Sequence, residues 1–309
     1  MTRPSSPLLP VALLLVAMAS IQSGAAIAKG MFPVVGPIGA VTLRVVFAAI
    51  LLGAVLRPWR VRRSRDAWRS ILVYGVALGG MNCLFYMALR TVPLGIATAL
   101  EFTGPLGVAM LASRRVVDFL WIALAVAGLL LLLPLGFSSA AVDPVGAGLA
   151  LAAGLCWALY ILFGQKAGAE HGLQTTAVGM AIAALVILPF GIASAGATLL
   201  SPAILPLALA VALLSSALPY SLEMYALPRL PAKTFGTLMS VEPAFGALSG
   251  LLLLGELLAP RQWVALAAII AASVGTTATA ARLRDPPPLA ADPTVGDLET
   301  AGERPGGVS

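Results

Sequence analysis

The stretch IATALEFTGPLGVAML, residues 96–111, is apolar enough to cross a membrane, yet it holds Glu101 near its middle and Pro105 one turn later. Further along the chain, TFGTLMSVEPAFGALSG repeats this arrangement with Glu242 and Pro243. A charged side chain at the centre of a bilayer costs at least about 2.5–3.5 kcal/mol on insertion scales, so such residues usually face a polar cavity or a partner. This matched pair of stretches predicts two related halves around a polar site.

The composition places the whole chain in a membrane. Of its 309 residues, 60% are hydrophobic and 10% are charged, whereas a soluble domain carries about 25% charged residues. Long Leu, Ala and Val runs without two-residue alternation predict helices rather than a membrane barrel. The net charge of +6 does not indicate nucleic-acid binding, because the basic residues cluster in short loops between spans. Both cysteines, Cys83 and Cys156, lie inside predicted spans and are interpreted as small buried thiols.

We predict an all-α polytopic membrane protein with ten transmembrane helices in two inverted five-helix repeats. Residues 1–9 are expected to form a cytoplasmic N-terminus, 10–140 the first repeat, 145–282 the second, and 285–309 a disordered cytoplasmic tail rich in Pro, Gly and acidic residues. Because five is odd, the second half enters the membrane with opposite polarity, which suits alternating access around a midplane site. The predicted spans are 10–29, 36–56, 70–89, 92–112, 118–136, 145–164, 175–195, 205–227, 233–254 and 262–281.

The basic residues give the expected orientation. With a cytoplasmic N-terminus, fifteen of the 19 Lys and Arg residues fall on the cytoplasmic side, six of them between Arg57 and Arg69. Three fall outside: Lys29, Arg90 and Arg261. Because short cytoplasmic loops carry the excess of Lys and Arg, we expect both termini in the cytoplasm. The first apolar run lacks a convincing cleavage pattern and is interpreted as a retained helix rather than a signal peptide.

Five ionisable residues in or at the ends of predicted spans are the main candidates for a site. They are the carboxylates of Glu101, Glu223 and Glu242 and the cations of Lys29 and Arg44. One interpretation is a set of internal ion pairs that hold the helices together. The other is a zwitterion site, where carboxylates bind an ammonium group and cations bind a carboxylate. The two are compatible if a substrate replaces the internal partners.

Two prolines and two polar residues extend the candidate set. Pro105 and Pro243 each remove a helical hydrogen bond, which indicates either a packing kink or an unwound segment that binds a polar ligand. Asn82 and Tyr86 lie in the otherwise apolar third span. For both, hydrogen bonding between helices is the alternative to a role in the site, and Asn82 is the stronger site candidate.

Several other chemistries lack support in the sequence. The single histidine, His171, lies in GQKAGAEHG, which we interpret as a solvated loop, and no cysteine pair accompanies it to form a zinc site. No phosphate-binding glycine loop indicates ATP-driven transport, and no serine elbow indicates a hydrolase. We therefore expect no enzyme activity, no metal and no cofactor.

Five long segments between about Ala17 and Gly275 carry a resemblance to a known family: AMASIQSGAAIAKGMFPVVG, YGVALGGMNCLFYMALRTVPLGIATALEFTGPLGVAML, SRRVVDFLW, CWALYILFGQKAGAEHG and LPYSLEMYALPRLPAKTFGTLMSVEPAFGALSG. These segments resemble amino-acid exporters of the EamA family, in the drug/metabolite transporter superfamily. The resemblance implies two EamA-like five-helix repeats in the inner membrane, efflux of homoserine, threonine and related amino acids, and the proton gradient as driving force. It also implies that Lys29 and Arg44 match a lysine ending the family's first helix and an arginine in its second.

These features predict a secondary exporter of small amino acids that works by proton antiport and alternating access. Glu101 or Glu242, with Glu223 on the cytoplasmic side, is expected to hold a proton when the site is empty and release it when a cationic amine arrives. The alternatives are an exporter of other polar metabolites or drugs, a membrane enzyme acting on lipid-linked substrates, and a receptor or assembly subunit without flux. The enzyme lacks a nucleophile or metal set, and the subunit leaves the paired glutamates without a role.

Overall fold

A computed structural model describes residues 8–60, 64–111, 116–132, 143–230, 235 and 238–281. In these ranges all regular structure is helical. In chain order, the α-helices are α1 (Leu8–Lys29), α2 (Phe32–Leu56), α3 (Arg65–Ala88), α4 (Leu94–Glu101), α5 (Thr103–Leu111), α6 (Val116–Leu132), α7 (Pro144–His171), α8 (Leu173–Ala195), α9 (Leu205–Ala212), α10 (Leu218–Ala226), α11 (Glu242–Leu254) and α12 (Pro260–Ala281).

Many of these helices suit a bilayer. Within the described ranges, six helical segments are long and apolar enough to cross a membrane, and three shorter helices are also apolar. Inside lipid every backbone polar group must be paired within the protein, and a continuous helix achieves this. The predicted all-helical membrane fold is therefore confirmed, whereas the ten spans and their inverted repeat stay a prediction. The six segments are Leu9–Lys29, Phe32–Leu56, Arg65–Ala88, Pro144–Ala169, Leu173–Leu200 and Leu205–Ala226.

The helix interruptions place both matched glutamates at helix ends. Phe102 separates α4 from α5, so Glu101 is the last residue of α4. The 3₁₀ turn Met239–Val241 comes directly before α11, whose first residue is Glu242 and whose second is Pro243. Proline fits the first turn of a helix, where its missing N–H has no intrahelical partner to lose.

Two further distortions were not predicted from the sequence. Gly36 interrupts α2 with φ 69° and ψ 172°, directly before Pro37. Glycine reaches this backbone conformation without the steric cost that other residues meet. A π-helical turn, Leu213–Ala217, joins α9 to α10. Such wide turns occur mostly as single insertions in helices and are frequent at functional sites.

Helices from the first half of the chain pack against helices from the second. α3 packs on α7 and α8, α2 on α8, and α1 on α10 and α11, while α4 packs on α11 and α6 on α12. Small residues let helix backbones approach closely in a membrane. A Cβ added at Gly154 of α7 would lie 2.5 Å from the carbonyl oxygen of Glu101. The break between α4 and α5 therefore packs directly against α7.

The two ends of α7 differ in how well the sequence predicts them. Asp143 caps the first turn, and hydrogen bonds from the Thr91 hydroxyl (2.7 Å) and the Gly146 N–H (2.9 Å) hold the pKa of its carboxyl below the usual range. At the other end the interpretation of GQKAGAEHG as a loop is wrong, because the helix continues to His171. The Gln165 amide donates to the Leu230 carbonyl oxygen at 3.2 Å, which ties these last turns to the segment after α10.

Some expectations fall on parts of the chain that the structure does not describe. The predicted tail, 285–309, lies outside the described residues, as do residues 1–7 of the predicted N-terminus. The same holds for several of the basic residues used to predict the orientation: Arg3, Arg62, Arg63, Arg114, Arg115, Lys233, Arg282, Arg284 and Arg304.

Candidate functional site

A small polar cavity lies where α1, α2, α3, α4, α7, α10 and α11 meet. Its volume is about 30 Å³. Apolar side chains, among them Met81, Phe85 and Trp157, form part of the wall. The structure thus brings together four of the ionisable residues that the sequence singles out. The polar lining residues are Gln22, Arg44, Asn82, Glu101, Tyr220, Glu223 and Glu242.

Glu242 is held on one side only. The Gln22 side-chain amide donates to Glu242 Oε1 at 2.9 Å, and the Thr98 hydroxyl lies 3.3 Å from Gln22 Oε1. These contacts join α11 to α1 and α4. Oε2 of Glu242 is buried and has no hydrogen-bond partner among the described residues. A buried carboxylate oxygen without a donor is costly, so this atom is available to a donor that enters the cavity.

Glu101 is the least restrained of the three carboxylates. Its side chain lines the cavity and is 6% exposed. No hydrogen bond or ion pair joins that carboxylate to another residue in the described part of the chain. Its position at the end of α4 leaves it beside the break at Phe102.

Glu223 belongs to a group of aromatic and amide side chains. The Tyr160 hydroxyl donates to Glu223 Oε2 at 2.8 Å. Nearby, the Tyr220 hydroxyl donates to Asn82 Oδ1 at 3.2 Å, and the Asn82 amide donates to the Leu78 carbonyl oxygen at 2.8 Å. Asn82 therefore lines the cavity and also joins two helices, so the two interpretations of this residue are compatible.

Arg44 is buried, with 2% of its surface exposed. Its Nη1 donates to the carbonyl oxygen of Ser215 at 3.1 Å and also to the Ser215 hydroxyl oxygen. Its guanidinium carbon lies 4.6 Å from the centroid of the Tyr86 ring, a distance at which a cation–π contact is favourable. Among the described residues no carboxylate oxygen lies within 4.0 Å of Arg44, so it takes no part in an internal set of ion pairs.

Lys29 lies apart from the cavity. Its ammonium group forms a 2.5 Å ion pair with Glu256 Oε1, and Glu256 Oε2 accepts a hydrogen bond from the backbone N–H of Leu94 at 2.8 Å. Glu256 therefore connects the end of α1 to the start of α4. Neither Pro105 nor Pro243 is among the residues that line the cavity.

Three contacts between distant parts of the chain were not predicted from the sequence. Glu256, Ser215 and Thr98 were not singled out, and the partner of each lies far away along the chain. Glu256 had a usable signal, because it is a charged residue directly after the apolar run LLLLG. Ser215 and Thr98 had none, since small hydroxyl residues are common in membrane helices and usually bond to their own helix.

The cavity is acidic. Three carboxylates and one guanidinium line it, so full ionisation would leave an excess of two negative charges. Buried charge is tolerated when it is paired and hydrogen-bonded. Protons or an ammonium group can compensate the excess, and Arg44 offers a partner for a carboxylate. In the described part of the chain, no three His, Cys, Asp or Glu residues are grouped so as to hold a metal ion.

Comparisons with known proteins point to transporters. A model of the EamA-like transporter family matches residues 144–278. The chain is 59% identical over 271 residues to the threonine/homoserine exporter RhtA of Escherichia coli (strain K12), which covers 88% of this chain and 92% of that protein. It is 58% identical over 274 residues to the exporter of the same name from Salmonella typhimurium (strain SL1344), with 89% and 93% covered. A crystal structure of an 18% identical protein shares the fold, with a TM-score of 0.63 over 90% of this chain and 99% of that one.

Proposed function

Because this chain belongs to the EamA-like transporter family and is a transporter rather than an enzyme, we propose that it exports homoserine, threonine and similar small amino acids. The export crosses the inner membrane, with both chain termini in the cytoplasm. The names of the two exporters that resemble it over most of its length support these substrates. The observation that carries the proposal is the central cavity, which carboxylates and a guanidinium line together.

The cavity offers complementary groups for each part of an amino acid. Glu101 and the unpartnered oxygen of Glu242 suit an ammonium group, and Arg44 suits a carboxylate. The amides of Gln22 and Asn82 can bond to a side-chain hydroxyl. A zwitterion adds no net charge, so it satisfies groups of both signs without raising the total charge of the buried site.

Proton coupling follows if one carboxylate binds either a proton or the ammonium group. Glu101 is the first choice, because no described residue already bonds to it. An amino acid arriving from the cytoplasm displaces the proton to the cytoplasmic side, and a proton from outside displaces the amino acid to the exterior. One proton then enters for each amino acid that leaves. Glu242 is the second candidate, and Glu223 serves the cytoplasmic side.

Two inverted five-helix repeats, 10–140 and 145–282, account for the helix pairs. A twofold relation between the halves exchanges α1 with α7, α2 with α8, α3 with α9–α10, α4–α5 with α11, and α6 with α12. The contact of α3 with α7 then corresponds to that of α1 with α10, while the α2–α8, α4–α11 and α6–α12 contacts correspond to themselves. This regularity supports the repeat, and an inverted repeat suits alternating access.

The size of the cavity supports a cycle with a closed intermediate. A volume of about 30 Å³ is far below the ~300 Å³ or more of typical small-molecule sites. Substrate therefore enters only when the helices around the cavity separate. The helix breaks lie beside Glu101 and before Glu242, so a separation of these helices would move both carboxylates.

Counterflow in proteoliposomes tests the proposed function. Vesicles loaded with unlabelled homoserine are mixed with labelled homoserine, threonine, other small amino acids or an unrelated polar metabolite. We expect saturable uptake of homoserine and of threonine, and each substrate should inhibit uptake of the other. Uptake of the other metabolite alone would favour a different exporter of this family, and absence of all exchange by folded protein would contradict the proposal.

A further inference from the structure

Arg44 is anchored to a distortion in another helix. Among the described residues, Arg44 donates two hydrogen bonds to Ser215, one to the carbonyl oxygen at 3.1 Å and one to the hydroxyl oxygen. Ser215 is the middle residue of the π-helical turn Leu213–Ala217 and is fully buried. The wide turn therefore presents a carbonyl and a hydroxyl oxygen of the same residue to one guanidinium nitrogen.

A glycine on α1 makes room for this turn. A Cβ added at Gly24 would lie 3.0 Å from the Cα atom and 3.0 Å from the backbone nitrogen of Ser215. Backbone atoms cannot move aside as the end of a flexible side chain can. Any larger residue at position 24 would therefore displace the π turn, and the oxygen atoms that hold Arg44 would move with it.

Two restraints thus fix the guanidinium, and part of it is still unpaired. Ser215 holds Nη1, and the guanidinium carbon lies 4.6 Å from the centroid of the Tyr86 ring. The Nε atom is buried and has no hydrogen-bond partner among the described residues. Arg44 nevertheless lines the cavity. A donor that is fixed in direction and unsatisfied is suited to bind an acceptor on a ligand.

We propose that the π turn, through Ser215, positions Arg44 to bind the carboxylate of the exported amino acid, and that Gly24 permits this arrangement. The inference rests on the proposed function, since it requires a substrate with a carboxylate. Arg binds carboxylates through planar, directional hydrogen bonds, so its orientation decides the strength of the contact. A guanidinium released from Ser215 loses that orientation, and binding of the substrate carboxylate weakens while binding of the ammonium group does not.

The test compares an amino acid with its decarboxylated form in single variants. Ser215→Ala removes the hydroxyl contact, and Gly24→Ala displaces the turn. Ser216→Ala is the matched control, because the neighbouring Ser216 hydroxyl is equally buried but has no partner among the described residues. Counterflow gives the KM for homoserine, and competition gives the inhibition constant of 3-amino-1-propanol. We expect Ser215→Ala and Gly24→Ala to raise the homoserine KM roughly tenfold, the effect of one hydrogen bond to a charged group.

The inhibition constant of the amine should stay the same in all three variants, and Ser216→Ala should leave both values unchanged. Thermal unfolding of each variant in detergent separates the loss of this contact from a general loss of folding. Equal weakening of amino acid and amine, or equal effects of Ser215→Ala and Ser216→Ala, would overturn the inference. Wild-type protein that transports no amino acid refutes the proposed function as well, whereas normal transport without a Ser215 effect refutes the inference alone.

Discussion

At the residue scale, the central feature is a buried cation without a carboxylate partner. Arg44 is 2% exposed, and among the described residues its hydrogen-bond and cation–π partners are Ser215 and the Tyr86 ring. Removing a charged group from water costs several kcal/mol of solvation free energy. A carbonyl oxygen, a hydroxyl and an aromatic ring compensate only part of this cost. A ligand that carries a carboxylate would therefore stabilise this buried guanidinium the most.

The substitution Arg44→Gln tests this directly. It should weaken transport of homoserine about tenfold or more, the effect of losing a charge-assisted hydrogen bond, while inhibition by 3-amino-1-propanol changes little. The measurement is the KM for homoserine beside the inhibition constant of the amine. Equal loss for both compounds in a folded protein would assign Arg44 a structural role instead.

The ionisable residues are recognisable in the sequence, whereas their partners are not. Glu101, Glu223, Glu242 and Arg44 stand out because charge is rare in apolar spans, and the structure places all four on one cavity. The pairing of Lys29 with Glu256 depends on the register of two helix ends far apart in the chain, which no local pattern encodes.

At the element scale, the break between α4 and α5 depends on close contact with α7. The Glu101 carbonyl lies against Gly154, and the Phe102 ring packs edge-on against Trp157, with 6.3 Å between ring centroids. The ends of α1 and α2 at Lys29 and Leu56 were predictable from apolar length, whereas the end of α7 was not. The π turn was not predictable either, because its contacts with Gly24 and Arg44 lie far away along the chain. The distortion at Gly36 had a local signal in the following Pro37, which the predicted span did not use.

Gly154→Ala is therefore expected to move Glu101. Its Cβ would meet the Glu101 carbonyl at 2.5 Å, and such overpacking typically costs about 1–3 kcal/mol. Gly148→Ala in the same helix is the control, since nothing lies within 4 Å of its Cβ. Thermal unfolding in detergent and homoserine counterflow should both decline for Gly154→Ala only. Equal behaviour of the two variants would show that the break tolerates displacement.

Glu256 connects α1, α4 and the segment between α11 and α12. The pair is partly exposed, so its loss should change stability by about 1 kcal/mol or less. Glu256→Gln should instead weaken the connection between the end of α1, where Lys29 lies, and the start of α4. A cysteine placed at Ala25, which lines the cavity, should then react faster with an impermeant thiol reagent added outside, in a background without Cys83 and Cys156. Unchanged reactivity would mean that other contacts close this side.

At the scale of the whole molecule, the asymmetry of basic residues predicts the orientation. Trp59 lies in the basic segment after α2 and is 71% exposed, and Leu257 follows Glu256 and is 85% exposed. With both native cysteines replaced, Leu257→Cys should react with an impermeant reagent in intact cells, and Trp59→Cys should react only after permeabilisation. Equal labelling of both variants in intact cells would contradict the predicted orientation.

The most direct test of coupled export measures proton movement driven by the amino acid alone. Proteoliposomes loaded with homoserine, with equal pH on both sides and the membrane potential held at zero, are diluted into buffer without homoserine while an internal dye reports pH. Antiport predicts that the interior acidifies as homoserine leaves, and that Glu101→Gln or Glu242→Gln abolishes the acidification. Homoserine efflux without any pH change, or an unchanged proton signal in both variants, would contradict the account.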